Sequence, residues 1–206
     1  MVGLDAVLAW LRTVRQRMEE NKEYLTQLDS AIGDADHGIN MSRGFNAALA
    51  EIEGKEPEDI AGALKAVSMA LIKKVGGAAG PLYGTFFLKA SAAASGKEEL
   101  DADGVLELFK EGVEGLKQRG KAQQGDKTML DAWIPAIEAM EGAKSDGVAA
   151  MLEAGAAAAE SGMKATIPLV ARKGRASYLG ERSKGHQDPG ATSTHLILRT
   201  AAEHWN

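Results

Sequence analysis

Apolar residues return at steps of three and four along nearly the whole chain, and that period is the strongest constraint on what it can fold into. Leu4, Val7, Leu8, Leu11, Val14 and Met18 form one such stripe, the spacing of a helix with one face turned to a core. The same period runs through Phe45–Ile52, Ile60–Ile72, Leu82–Ala94, Val105–Leu116, Met129–Met140 and Val148–Met163, and returns in Ala191–Trp205. Alanine is abundant and aromatic residues make up only 5% of the chain, which favours helices brought close by small side chains. Evidence for strands is thin: Thr166–Val170 is β-branched but short, and it contains Pro168. The pattern predicts an all-α fold of about eight helices. Short breaks at Gly54–Pro57 and Gly142–Asp146 predict antiparallel neighbours. Helix starts are expected at Pro57 with Glu56 and Glu58, at Asp101 or Asp103, and at Ser145 or Asp146.

With 206 residues and no linker-like stretch, the chain 1–206 reads as one domain, large enough to bury a core without staples. It has no cysteine, which excludes disulfides, thiolate metal sites and cysteine nucleophiles and suits a reducing compartment. The N-terminal stretch mixes charges with apolar residues, unlike a secretory signal, and no run approaches the roughly 20 apolar residues of a membrane span. The expectation is a soluble, cytoplasmic protein with no membrane association. A net charge of −5 argues against a nucleic-acid partner, which usually meets a basic face. Basic residues do cluster between Arg172 and Lys184. Such a cluster is either a solvated loop or a site for one particular anion.

Three connecting segments do not look like ordinary turns: Asp29–Asn40, Gly76–Gly84 and Gly174–Thr194. The first holds Asp29-x4-Asp34-x-Asp36-His37. Carboxylates crowded this closely repel one another unless a cation or solvent relieves them. Gly33 lets the chain bend so that Asp34 and Asp36 turn toward the same point as Asp29. Oxygen-only ligands favour Mg²⁺ or Ca²⁺, and the ligand spacing of an EF-hand is lacking. Mg²⁺ is typically shared with substrate phosphates, so a phosphate ligand is expected nearby. The competing reading makes Asp34 or Asp36 a helix cap and Asp29 a surface acid. Gly76-Gly77-Ala78-Ala79-Gly80 runs into Pro81 and a helix start, where free N–H groups suit a phosphate; a close helix crossing explains the glycines equally well. Arg175 matches phosphate oxygens. Asp188 before Pro189 reads as an N-cap, and Lys127 as part of a loop that could equally meet an anion. Three carboxylates and ADP together bring about −6, which one Mg²⁺ lowers to about −4 and two to about −2, so the cluster makes more sense with two ions.

These segments, in this order, resemble the ADP-binding L subunit of phosphotransferase-system-dependent dihydroxyacetone kinase. The resemblance is carried by LDSAIGDADHGINMSRGF (28–45), GGAAGPLYGTFF (76–87), RGKAQQGDKTMLDAW (119–133) and ARKGRASYLGERSKGHQDPGATS (171–193). It implies an eight-helix antiparallel barrel with the nucleotide at one end. It implies that Asp29, Asp34 and Asp36 hold two Mg²⁺ ions on the ADP phosphates. His37, Gly38, Ile39 and Asn40 would line the nucleotide site, with the Gly77–Gly80 turn, Ala78 and Ala79 included, facing the phosphates. Gly120 and Met129 would lie beside the nucleoside, Asp188, Pro189 and Gly190 would form another contact stretch, and Arg175 would approach the transferred phosphate as the catalytic residue. In such enzymes a phosphohistidine of an M subunit phosphorylates the retained ADP, and the ATP so formed phosphorylates dihydroxyacetone held by a K subunit; a homodimer of the L chain is also admitted.

One position departs from the family pattern. Its turn usually reads Gly-Gly-Ala-Ser-Gly, and Ala79 takes the serine place here. A hydroxyl that could bond a phosphate oxygen is absent, which bears on how tightly ADP is retained. Two further functions keep the same site: an ATP-dependent kinase subunit for another short ketose, or a non-catalytic nucleotide sensor.

Overall fold

The computed structural model describes residues 1–205. Among the described residues nine α-helices follow one another: α1 (Leu4–Glu20), α2 (Lys22–Ile32), α3 (His37–Lys55), α4 (Ile60–Lys74), α5 (Ala79–Ala93), α6 (Ala102–Gly120), α7 (Leu130–Ala143), α8 (Val148–Ala165) and α9 (Pro189–His204). From α3 to α9 each helix packs on the next, and α1 with α2 lies between α9 and α3. The helices close a ring of eight staves, one of them in two pieces. The break is at Asn21, whose backbone leaves helical geometry (φ −98°, ψ 8°) while its side-chain amide donates to the Arg17 carbonyl at 2.9 Å. The apolar stripes leave out α2, whose buried residues are Leu25, Asp29 and Ile32, with a carboxylate where periodicity looks for an apolar residue.

The inside of the ring is filled by the scarce aromatic residues. Trp10 meets Trp205 at 4.7 Å between ring centroids, and Phe86 stacks on Trp133 at 4.6 Å. The Trp10 indole donates to the Ile197 carbonyl and that of Trp205 to the Ala6 carbonyl, so these rings bury their area without stranding those polar atoms. Elsewhere glycines let helix backbones approach. A Cβ on Gly80 would lie 2.3 Å from the Val75 carbonyl oxygen, and one on Gly162 would lie 2.1 Å from that of Asp131. Among the described residues sheet is confined to one antiparallel contact, β1 (Val2–Gly3) with β2 (Glu99–Leu100). Thr166–Val170 is turn and irregular chain.

Helix starts follow the caps. Asp101 receives the Gly104 N–H and opens α6. The α4 start is at Asp59, which receives the Gly62 N–H, and not at Pro57: Glu56 ends α3 in a left-handed conformation (φ 44°), and the residue before a proline resists helix. Ser145 and Asp146 belong to a 3₁₀ turn, and α8 starts after Gly147. Successive staves run in opposite senses, so the connections α2–α3, α4–α5, α6–α7 and α8–α9 share one end of the ring. No helix among the described residues is long and apolar enough to cross a membrane.

Gly162→Val should lower the thermal midpoint by about 4–8 °C, the equivalent of roughly 2 kcal/mol of overpacking. Gly142→Ala, at a position with nothing within 4 Å of the added Cβ, should instead raise stability by up to about 1 kcal/mol. Circular-dichroism melts of both variants check the contrast; equal shifts would contradict the close α7–α8 crossing.

Candidate functional site

The last turn of α2 turns Asp29 inward, where it is only 8% exposed. One carboxylate oxygen, Oδ2, accepts the N–H groups of Asp36 (2.8 Å) and His37 (3.1 Å), so Asp29 caps α3 from a distance in sequence. Gly33 is required beside it, because a Cβ there would lie 2.0 Å from Asp29 Oδ1. Ala35 sits in the left-handed region (φ 59°), a conformation costing a non-glycine residue on the order of 1 kcal/mol, and it folds Asp34 and Asp36 back on Asp29. The three residues each offer an oxygen within 4.8 Å of the other two. Asp36 occupies the N-cap position of α3 but makes no cap bond, so its carboxylate is left for the cluster. Oxygens on one Mg²⁺ lie at most about 4.2 Å apart, so the donor set fits a hard cation, or two, after a small closure.

The cluster forms one wall of a cleft of about 390 Å³, to which all four connections at this end contribute. Four helices begin there: α3, α5, α7 and α9. Asp29 serves the first N–H groups of α3. Thr128 and Asp131 serve the start of α7, Asp131 Oδ2 receiving the Thr128 N–H at 2.8 Å. Asp188 serves α9, receiving the Ala191 N–H at 2.7 Å. Among the described residues α5 begins at Ala78 without a side-chain acceptor. Its free N–H groups, at the positive end of a helix, face the cleft and are suited to an anion. Gly77 (φ 62°) makes the turn that exposes them, while Gly80 and Gly84 serve the α4–α5 crossing. The two readings of the glycines therefore divide along the segment.

Positive charge comes from the other walls. Arg175 reaches over the cleft and pairs with Asp34, Nε to Oδ2 at 2.9 Å, and Lys173 and Arg119 also line it. Lys127 does not meet an anion in this structure. Its ammonium is buried and donates to the carbonyls of Thr166, Leu169 and His186. Below the cleft, the His37 ring bonds Ser193 at 2.9 Å, and the Tyr83 hydroxyl bonds Ser193 and Thr194. Burial pulls the His37 pKa down to about 4 against the opposing carboxylates of Asp29 and Asp36, so the ring is neutral at pH 7. Burial likewise pushes Tyr83 up to about 12.

Residues 31–203 match the family model described as the DAK2 domain. The chain is 44% identical over 198 residues to the "PEP-dependent dihydroxyacetone kinase, ADP-binding subunit DhaL" of Escherichia coli (strain K12), covering 95% of this chain and 94% of that protein. It is 41% identical over 205 residues to the "PTS-dependent dihydroxyacetone kinase, ADP-binding subunit DhaL" of Lactococcus lactis subsp. lactis (strain IL1403), covering 98% of each. The chain belongs to the DAK2-domain family. Its fold is also that of part of the dihydroxyacetone kinase from C. freundii crystallised with AMP-PNP and Mg²⁺. That structure matches with a TM-score of 0.74 at 24% identity, over 96% of this chain and 33% of that one.

The cleft brings together most of the residues singled out in the sequence. Asp29, Asp34, Asp36, His37, Ala78, Ala79, Gly120, Met129, Arg175, Asp188, Pro189 and Gly190 all line it. Gly38, Ile39 and Asn40 do not. Gly38 is the contact of α3 with α2, where a Cβ would lie 2.0 Å from the Lys22 carbonyl oxygen. Ile39 is exposed on the outer face beside Lys22 and Thr26, and the Asn40 side-chain oxygen receives Arg43. Lining residues that sequence reading passed over include Ile32, Leu82, Leu116 and Arg119, whereas Lys173 falls within the basic cluster Arg172–Lys184 read as a loop or an anion site. The two leucines lie within the periodic stripes and read as core.

Asp188 gives a test of the buried polar floor. Burial, more than any neighbour, pushes its carboxyl from 3.8 to about 7. An acid whose pKa rises on folding carries no penalty below its unfolded value and a growing one as pH climbs to the folded value. Asp188→Asn keeps a cap oxygen and removes that penalty. Its stability relative to the parent chain should therefore rise between pH 4 and pH 7 by on the order of 2–4 kcal/mol. Denaturant midpoints in metal-free buffer measure this, and a pH-independent difference would contradict it.

Proposed function

We propose that the chain, as one nucleotide-binding domain, binds ADP with two Mg²⁺ ions and serves as the phosphotransfer subunit of a dihydroxyacetone kinase. The observation that carries this is the pairing, across one cleft, of an oxygen-only cation cluster with the uncapped start of α5. A Mg–diphosphate needs both, carboxylates for the metal and N–H donors for the phosphate oxygens. The near full-length likeness to kinase subunits named as ADP-binding supports the choice of ligand.

Asp29, Asp34 and Asp36 would hold the cations, and the Ala78–Gly80 backbone would hold the phosphate oxygens. Leu82, Leu116, Gly120 and Met129 supply an apolar stretch of lining suited to a nucleobase. Arg175 would turn from Asp34 to the transferred phosphoryl group. Mg²⁺ when bound supplies charge neutralisation and orientation of the phosphate oxygens, and ADP supplies the acceptor oxygen for the group in transit. No general base is required of this chain, since positioning and charge stabilisation dominate such transfers. The phosphoryl donor would be the phosphohistidine of an M subunit, and the acceptor dihydroxyacetone on a K subunit.

A second reading, direct use of exchangeable ATP on another short ketose, is favoured by one likeness. The chain is 32% identical over 201 residues to the L-erythrulose 1-kinase of Mycolicibacterium smegmatis (strain ATCC 700084 / mc(2)155), spanning 35% of that protein. Reconstitution with a K subunit separates the two: transfer driven by an M subunit and phosphoenolpyruvate supports the first, and turnover on ATP alone supports the second. In either case Asp34→Asn should abolish magnesium-dependent ADP binding measured by calorimetry, and retention of parental affinity would remove the metal assignment. Ala79→Ser adds one hydroxyl at the start of α5 and should tighten ADP by up to about tenfold, the worth of a neutral hydrogen bond; the same titration reads it.

A further inference from the structure

Lys127 is a feature at this end of the ring that the proposed function leaves without a role. It is 1% exposed and sits in the left-handed region (φ 62°), where glycine or asparagine would be accommodated with less strain. A long charged side chain at such a position must be kept for what its far end does. That end donates to three backbone oxygens, those of Thr166 (2.7 Å), Leu169 (3.2 Å) and His186 (2.5 Å). Three acceptors match the three donors of an ammonium group and leave no place for a lone pair.

The three carbonyls belong to the two ends of a single long connection, residues 166–188, between α8 and α9. This connection carries Lys173 and Arg175 over the cleft and ends at Asp188, the cap of α9. Its own apolar packing is slight, limited to Ala171, Ala176 and Leu179 against Ile32. Lys127 itself stands on a turn that is already braced. Asp126 receives the Gln123 N–H, and Asp131 receives those of Gly125 and Thr128. The Arg172 N–H adds one further tie, to the Asp126 carbonyl at 3.0 Å.

We propose that Lys127 is a positioning residue, a built-in cation that cinches the two ends of the 166–188 connection onto the α6–α7 turn. It thereby fixes Lys173 and Arg175 relative to Met129. The Lys127 side chain spends its three donors on these carbonyls and acts through the wall it holds. Only the effect on nucleotide affinity rests on the function proposed above; the effect on the connection stands apart from it.

The test uses the full chain as Lys127→Met and Lys127→Ala. Loop order is read by the rate of trypsin cleavage at the exposed Arg172, Lys173, Arg175, Arg182 and Lys184, alongside helical circular dichroism and magnesium-dependent ADP binding. Lys127→Met keeps the volume and loses the three donors. It should retain the helical signal, be cut in the connection at least about tenfold faster, and bind ADP at least about tenfold more weakly. Added n-propylammonium should slow cleavage of Lys127→Ala toward the parental rate and restore its ADP affinity, whereas tetramethylammonium, which has no N–H, should do neither. Unchanged cleavage in Lys127→Met would overturn the proposal, as would equal rescue by both amines. Global unfolding of both variants without recovery in n-propylammonium would also overturn it, by making Lys127 a residue of general stability. Failure of the parental chain to bind ADP would count against the proposed function alone, with the cleavage rates still deciding the part played by Lys127.

Discussion

A closed ring with an even number of staves and short connections forces neighbouring helices to run in opposite senses. Four helices therefore begin at one end, and their unpaired N–H groups and positive dipole ends meet there. Everything in the cleft answers that constraint. Asp29, Asp131 and Asp188 are buried and neutralise three of the four helix starts. What is left over is specific: one uncapped helix start at α5, and the carboxylates of Asp34 and Asp36 beside the free oxygen of Asp29. The first suits an anion and the second a cation. A diphosphate with its metal is a single ligand that presents both charges.

The parts that periodicity and local chemistry govern were legible in the chain. The all-helical class followed from apolar stripes, and the carboxylate cluster from crowding that a cation or solvent must relieve. The α9 start at Asp188-Pro189 followed from cap preferences. Other parts depend on what lies across space. Asp29 interrupts the stripe of α2, and its capping of α3 from a distance leaves no mark in the spacing. Gly38, Ile39 and Asn40 follow the aspartates in sequence, but a helix turns by about 100° per residue. The first turn of α3 thus carries Gly38 onto α2, Ile39 outward to solvent, and Asn40 against Arg43 and Gly76. Lys127 was ambiguous because its partners are backbone carbonyls some 40–60 residues further along, and carbonyls leave no mark on residue identity.

Rigidity is distributed unevenly over the same cleft. The caps and the Lys127 cage are buried, where an unpaired polar group is costly, so they resist rearrangement. The Arg175–Asp34 pair is different, with side chains 65% and 35% exposed. An ion pair that open contributes at most about 1 kcal/mol and is screened by salt, so it is easily exchanged. Under the proposed function a cation on Asp34 would compete for the same oxygens and release the guanidinium toward phosphate. The fixed groups thus set the positions of the walls, and the one weak pair is where the site can respond to its ligand. Asp34, which pairs with Arg175 here, would then take the proposed metal in the other state without any change in the helices that carry the site.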